Sequence, residues 1–291
     1  MRDNGLLGKY SRQGYRCGYV DLSTLGYSQQ EDYDRDDFLK QKDSWFNVQG
    51  TKNWYHVKFS DKAKTDSHVL LSQIYKRAGL KTAIYMPARY GIDGKQYVVS
   101  QALANEDKMS INRTLLPNFD KNGIFCTKGH GDEERAEMPF TRQGMRDLLK
   151  ARLFDSASCN ISNNYGNYII KTNDRGEINE LGCIDFAKSG SVYAHYKTEA
   201  EKESFDDCFE NFSEYQSHYL ENKQNVIRGV KSNQEMLSKY YSRDEMARDL
   251  GEVNVQDVKD DIFATMFYKI DQGYADMIAH SFNDFAEQLS K

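Results

Sequence analysis

Phe154-Asp155-Ser156-Ala157-Ser158-Cys159-Asn160-Ile161-Ser162-Asn163-Asn164-Tyr165-Gly166-Asn167, running on into Tyr168-Ile169-Ile170-Lys171, is the stretch on which the fold turns. Just before it, Met145, Leu148, Leu149, Arg152 and Leu153 recur at helical spacing, which predicts a helix running into Phe154-Asp155. Residues 156–166 then read as a polar loop closed by Asn167. Two β-prone runs follow, 168–171 and 181–186, separated by Asn173-Asp174-Arg175-Gly176, a sequence suited to a tight turn, so a hairpin is expected with Asp185 at its end.

Toward the N-terminus, Trp54, Tyr55, Val57 and Phe59 form a strand-like run that carries Lys58, and residues 60–65 read as a polar breaker. Val69, Leu70, Ile74 and Tyr75 share one face of a predicted helix over 67–79, which Gly79 stops. Strands are expected over 83–86 and 96–103, joined at Ile92-Asp93-Gly94-Lys95. The first 50 or so residues, rich in Gly, Tyr, Asp and Gln, read as short strands and loops. From about residue 199 to the end the chain is helical in character. Val258, Ile262, Phe263, Met266, Phe267 and Ile270 make one stripe, and Tyr274, Ile278, Phe282, Phe285 and Leu289 a second, both expected to be core.

A lysine on a strand, an asparagine closing a polar loop and an aspartate at the end of the next hairpin, in that order, suit phosphoryl transfer. Lysine neutralises nucleotide phosphates, while Asn and Asp offer hard oxygen ligands to the magnesium ions that bridge them.

Over roughly residues 50–190 the sequence resembles the protein-kinase superfamily, and within it the bacterial HipA-like branch. The resemblance lies in Trp54-Tyr55-His56-Val57-Lys58-Phe59 as lysine strand and in Ser67-His68-Val69-Leu70 through Tyr75-Lys76-Arg77-Ala78-Gly79-Leu80 as the helix after it. It continues in Tyr97-Val98-Val99-Ser100-Gln101 as adenine hinge, in 154–167 as catalytic loop, and in Ile184-Asp185-Phe186 as metal-binding segment. It implies an α+β, two-lobed protein-kinase-like fold, with a small strand-rich N-lobe over 1–104 and a larger helical C-lobe over 105–291. It further implies ATP in the cleft with Ser100 and Gln101 near the adenine, Lys58 on the phosphates, and Asn167 and Asp185 on Mg2+ or Mn2+.

Two positions depart from the family pattern. Ser162 stands five residues before Asn167, where the family has an aspartate that accepts the substrate's proton. His68 stands where the helix ordinarily offers the lysine a glutamate, and a neutral imidazole brings no fixed negative charge. Asp155 and Asn160 repeat the Asp-x4-Asn spacing of a catalytic loop, which makes Asp155 the candidate for a displaced base. Asn160 lies far from the hairpin whereas Asn167 abuts it, so Asn167 is favoured as ligand and Asp155 as a loop brace. Asp66 is read either as a substitute for the missing glutamate or as a helix cap. For phosphates, Gln49-Gly50-Thr51-Lys52 is better placed than Gly5, Gly8, Gly14 and Gly18, which read as turns.

The 291 residues, 39% hydrophobic and 13% aromatic with 20 Tyr and 15 Phe, describe a globular chain. A net charge of -5 with mixed signs gives no nucleic-acid or anionic-membrane signal. Five cysteines without a CxxC pair argue for a reducing compartment and against a zinc site or disulfide framework. His130, His195, His218 and His280 lack ligand spacing. With no leader-like or bilayer-length apolar run, a cytoplasmic protein is expected; an effector exported to a host would read the same. The expected partners are a nucleotide and a protein substrate or protein partner. The activity read from the sequence is ATP-dependent transfer to protein Ser or Thr, with two rivals: a pseudokinase that senses nucleotide or binds protein, and a transferase of AMP on the same fold.

Overall fold

The computed structural model describes residues 18–22, 27–28, 43–48, 54–90, 95–101, 103, 110–111, 116–119, 125–128, 140–160, 167–186 and 212–291. Ser162, the turn at 92–94, the stretch 49–52, His130, His195 and Gly5, Gly8 and Gly14 lie outside them.

Six strands, β1 (Val20–Asp21), β2 (Tyr27–Ser28), β3 (Asp43–Val48), β4 (Trp54–Phe59), β6 (Tyr85–Arg89) and β7 (Gln96–Gln101), form a sheet ordered β1-β6-β7-β4-β3-β2. Only β1 and β6 run parallel within it. The expected strand over 83–86 is displaced to Tyr85–Arg89 and includes Pro87. Proline lacks a donor, but β1 pairs β6 only at Ala88 and Arg89, so Pro87 sits where that side of the ladder makes no demand on it.

Helix α1 (Lys62–Arg77) begins five residues before the expected start. The supposed breaker holds its cap, since Asp61 accepts from the Lys64 amide at 2.7 Å. Thr65 and Asp66, polar yet buried, complete the first turn, so counting apolar residues misses it. At the other end Gly79 stops the helix as expected: with φ +82, it lets the Gly79 and Leu80 amides bond back to the Lys76 and Tyr75 carbonyls, each at 3.0 Å.

The strands β5 (Lys81–Thr82), β8 (Ser110–Ile111), β11 (Tyr168–Thr172) and β12 (Ile178–Cys183) make a second sheet ordered β5-β12-β11-β8, while β9 (Leu116–Phe119) and β10 (Phe125–Lys128) pair by themselves. The β11–β12 hairpin turns at the predicted residues. Asn173 Oδ1 accepts from the Arg175 and Glu177 amides, both at 3.0 Å, and Gly176 takes φ +75. Its second strand occupies 178–183 rather than 181–186, because Ile184, Asp185 and Phe186 leave the ladder.

Helix α2 (Arg142–Ala157), capped by Thr141, packs on β12 so closely that a Cβ on Gly144 would collide with the Ile178 carbonyl. Beyond it come α3 (Phe212–Ser232), α4 (Gln234–Leu237), α5 (Arg243–Gly251), α6 (Val255–Met266) and α7 (Gln272–Ser290). The strand-rich first part and helical last part make the α+β arrangement expected from the sequence. Edge-to-face rings join the two parts: Phe282 on α7 meets Phe154 on α2 at 5.3 Å, Phe154 meets Tyr75 on α1 at 5.5 Å, and Tyr75 meets Phe186 at 4.8 Å. The second helical stripe is wholly core. In the first, Val258, Ile262, Met266 and Ile270 are buried, but Phe263 and Phe267 are exposed, because they fall on the outer side of α6 and at its C-cap.

Candidate functional site

The site lies where β4, β6, α1 and the end of the β11–β12 hairpin meet. Alternation along β4 buries Tyr55 and Val57 and sends Lys58 to the opposite face. There Lys58 Nζ donates to Asp185 Oδ2 at 3.0 Å, across 127 residues of sequence, with about a third of each side chain open to solvent.

Asp185 takes the left-handed conformation, φ +59, which is unfavourable for any residue with a Cβ. Its neighbours fix it there. The Asp185 amide donates to the Tyr85 hydroxyl at 3.0 Å. Asn167, at the start of β11, donates from Nδ2 to the Asp185 carbonyl at 3.5 Å, and the Asn167 carbonyl accepts from the Ile184 amide at 2.9 Å. With its nitrogen so engaged, the oxygen of the Asn167 amide is the end suited to a cation.

His68, on the buried face of α1, accepts from the Phe186 amide at Nδ1, 3.2 Å away. That bond assigns the ring proton to Nε2, which faces Asp185 Oδ1 at 3.6 Å, too long for a hydrogen bond. Complete burial holds the imidazole neutral, lowering its pKa to about 3 even though the Asp185 charge pulls the other way. His68 is therefore a neutral group that contacts the aspartate segment, and among the described residues the carboxylate recorded against Lys58 is Asp185.

Asp66 is neither of the things expected of it. It faces away from Lys58, buried, accepting from Lys62, from the Tyr268 hydroxyl at 2.7 Å and from the Asp271 amide at 3.1 Å, while Asp61 does the capping. Desolvation raises its pKa, against the pull of the Lys62 charge.

Asp155 lies in the last turn of α2, fully enclosed. Its Oδ1 accepts from the Tyr75 hydroxyl at 2.7 Å and from Asn160 Nδ2 at 3.0 Å, and its Oδ2 from the Tyr168 hydroxyl at 2.6 Å. Burial raises its pKa against the charge of Arg152. The carboxylate thus ties α2 to α1 and β11 from inside the core. Ser100 is likewise buried. Its backbone is paired with His56 on one side and Tyr85 on the other, so it is interior to the sheet, whereas the β6 pairing stops before Gln101.

Sequence reading missed Tyr85 altogether. Its only signal was an aromatic residue on a strand next to the lysine strand's partner, which is not distinguishable from core. Among the described residues no group of three or more His, Cys, Asp or Glu gathers to hold a metal ion, so a cation bound by Asn167 and Asp185 would need further oxygens, as Mg2+ takes from nucleotide phosphates.

No protein-family profile matches the sequence, and no curated protein matches it. Among solved structures it is similar to the Helicobacter pylori proinflammatory kinase CtkA, at 13% identity and a TM-score of 0.40, covering 92% of this chain and 94% of that one. It is also similar to a chain of the Shewanella oneidensis MR-1 toxin–antitoxin complex of HipA, HipB and operator DNA, at 13% identity and a TM-score of 0.38, over 81% of this chain and 57% of that one. For the choline kinase LicA of Streptococcus pneumoniae the identity is 11% and the TM-score 0.19, over 91% and 94% of the two chains. Among the described residues, no helix is long and apolar enough to cross a membrane.

Proposed function

We propose that the chain is an ATP-dependent, kinase-like phosphotransferase whose acceptor is a protein hydroxyl. The observation that carries the reading is the Lys58–Asp185 pair, about a third open to solvent, with Asn167 bonded to the same aspartate. An ammonium group, a carboxylate and a side-chain amide from three separate segments meet there. In this reading Lys58 leaves Asp185 to hold the nucleotide's phosphates, while Asn167 and Asp185 face the cation. Mg2+, when bound there, would neutralise charge on the transferring phosphoryl group. Gln101, at the end of β7, lies toward the adenine.

The test is thermal unfolding with and without Mg-ATP, for the natural chain and for Asp185→Ala. Ligand at 100 times its dissociation constant stabilises the folded state by about 2.7 kcal/mol. A rise in Tm that needs both Mg2+ and Asp185 supports the site, and no rise at millimolar nucleotide rejects it. ATP labelled at the γ- or the α-phosphate then separates phosphoryl transfer from AMP transfer.

A second reading, a pseudokinase that binds nucleotide without transferring phosphate, is favoured by the enclosure of Asp155 together with the sequence 161–166, which contains no carboxylate. A positioned base typically contributes about 10²- to 10⁴-fold in rate, so its lack slows transfer without abolishing it. Ser162→Asp distinguishes the readings: a gain of labelled product marks a competent but disarmed enzyme, and no product from either form marks the pseudokinase.

A further inference from the structure

Asp185 stands in the left-handed region, uncommon for a residue other than glycine, and side chains from outside its segment bond the main chain there. We propose that Tyr85 and His68 act together as the positioning pair for Asp185, doing by hydrogen bonds to the main chain what a charged partner on α1 would otherwise do through Lys58. This rests on the reading of Asp185 as a metal ligand.

Six contacts carry the inference. The Tyr85 hydroxyl accepts the Asp185 amide at 3.0 Å, and His68 Nδ1 accepts the Phe186 amide at 3.2 Å, so two successive N–H groups are held by two side chains. The two rings stack on each other, centroids 4.4 Å apart and 26° from parallel, so neither can turn without the other. Ser67, the residue before His68, donates from Oγ to the Phe186 carbonyl, which holds the other main-chain end of the same residue. The Phe186 ring in turn lies against Tyr75 and Tyr85 at 4.8 and 6.0 Å. Hydrogen bonds to two successive main-chain amides, one buried and one partly buried, help to hold a left-handed residue that is not glycine. Because α1 supplies one partner and β6 the other, Asp185 keeps its place only while helix and sheet keep theirs. A glutamate at residue 68 would lack the ring that stacks on Tyr85, so His68 is a working part of this site and not a missing one.

Tyr85→Phe removes only the hydroxyl and keeps the stack. His68→Phe keeps a ring but loses the acceptor, and His68→Asn returns an acceptor near Nδ1. Amide exchange in the nucleotide-free chain is the first readout: faster exchange of Asp185 in Tyr85→Phe and of Phe186 in His68→Phe, with Phe186 protection regained in His68→Asn, is the expected result. Unchanged exchange in both phenylalanine variants overturns the proposal. The second readout is the Mg2+ concentration needed to support ATP binding. Loss of groups that orient a metal ligand typically weakens metal affinity by about 10- to 100-fold, so the requirement should rise by that factor while affinity in EDTA stays unchanged. Equal weakening with and without Mg2+ marks a merely structural role and overturns the proposal. If the natural chain binds no Mg-ATP, the functional reading falls instead, and the amide exchange still decides whether Tyr85 and His68 hold Asp185.

Discussion

The Tyr268 hydroxyl lies 2.7 Å from Asp66 Oδ1, although 202 residues separate them, and it ties the helix that carries His68 to the corner between α6 and α7. The corner closes further around Asp66 through the Asp271 amide at 3.1 Å, while Lys62 bonds to both Asp66 and the Lys269 carbonyl. Asp66→Ala strands a buried hydroxyl and a main-chain amide, each costing about 1–3 kcal/mol when left unpaired. We expect a loss of about 2–4 kcal/mol, against about 1 kcal/mol for Tyr268→Phe. Urea midpoints for the two single variants and the double variant check this; the double should lose little more than Asp66→Ala alone, since the partners are shared.

Asp155 gives a prediction that separates structure from catalysis. Tyr75, Tyr168 and Asn160 all bond to it, and the charge of the buried Arg152 acts on it. Asp155→Ala should destabilise the fold by about 3–5 kcal/mol, the range for removing one side of a buried charged arrangement. A catalytic base would behave in the opposite way, with transfer lost and the melting curve unmoved.

Much of this was legible in the sequence, and the failures share a cause. Lys58, Asn167 and Asp185 announced themselves by order and spacing, and the turn at Asn173 to Gly176 by its chemistry. The start of α1 did not, because Thr65 and Asp66 are buried through hydrogen bonds and not through apolarity. Tyr85 was missed, and the acceptor role of His68 unseen although its neutrality was legible, for the same reason: each accepts a particular main-chain amide, a contact that exists only once the hairpin has been folded against α1. Asp155 shows the converse, a motif-like spacing that reflects a shared buried contact with Asn160. Phe263 and Phe267 kept the helical rhythm although no described residue covers them enough to bury them.

Glu245 predicts a pH dependence. It completes a capping box with Ser242 at the start of α5, accepting from the Ser242 amide at 2.9 Å, and it accepts from Arg146 Nη1 of α2 at 2.9 Å. These bonds, the Ser242 amide first and the Arg146 guanidinium next, lower its pKa to about 2 from an ordinary 4.5. A carboxyl lowered on folding stabilises the native state fully above its unfolded value, and the contribution fades as pH falls from about 4.5 toward 2. The Tm difference between the natural chain and Glu245→Gln should therefore be largest at neutral pH and shrink through that window. A difference that stays constant down to pH 2 would mean that the charge of Glu245 contributes nothing.

Phe267 ends α6 in a left-handed conformation, φ +52, with more than half of its side chain exposed, so it holds an unfavourable backbone without gaining burial. The Phe267 amide still bonds to the Phe263 carbonyl at 2.9 Å, and the turn is kept tight by Gly18, where a Cβ would come within 2.5 Å of the Phe267 carbonyl oxygen. Asparagine tolerates this conformation far better than a bulky aromatic residue. Phe267→Asn should raise stability by up to about 1 kcal/mol, the smaller end of the left-handed penalty, since the exposed ring contributes little to set against it. Gly18→Ala tests the same corner with the opposite sign. Its φ of +76 is unfavourable for alanine and its methyl would meet main chain that cannot move aside, so destabilisation above about 1 kcal/mol is expected. Thermal melts of the two variants decide the matter: if Phe267→Asn lowers Tm, the exposed aromatic ring is held in that conformation by contacts that do contribute to stability.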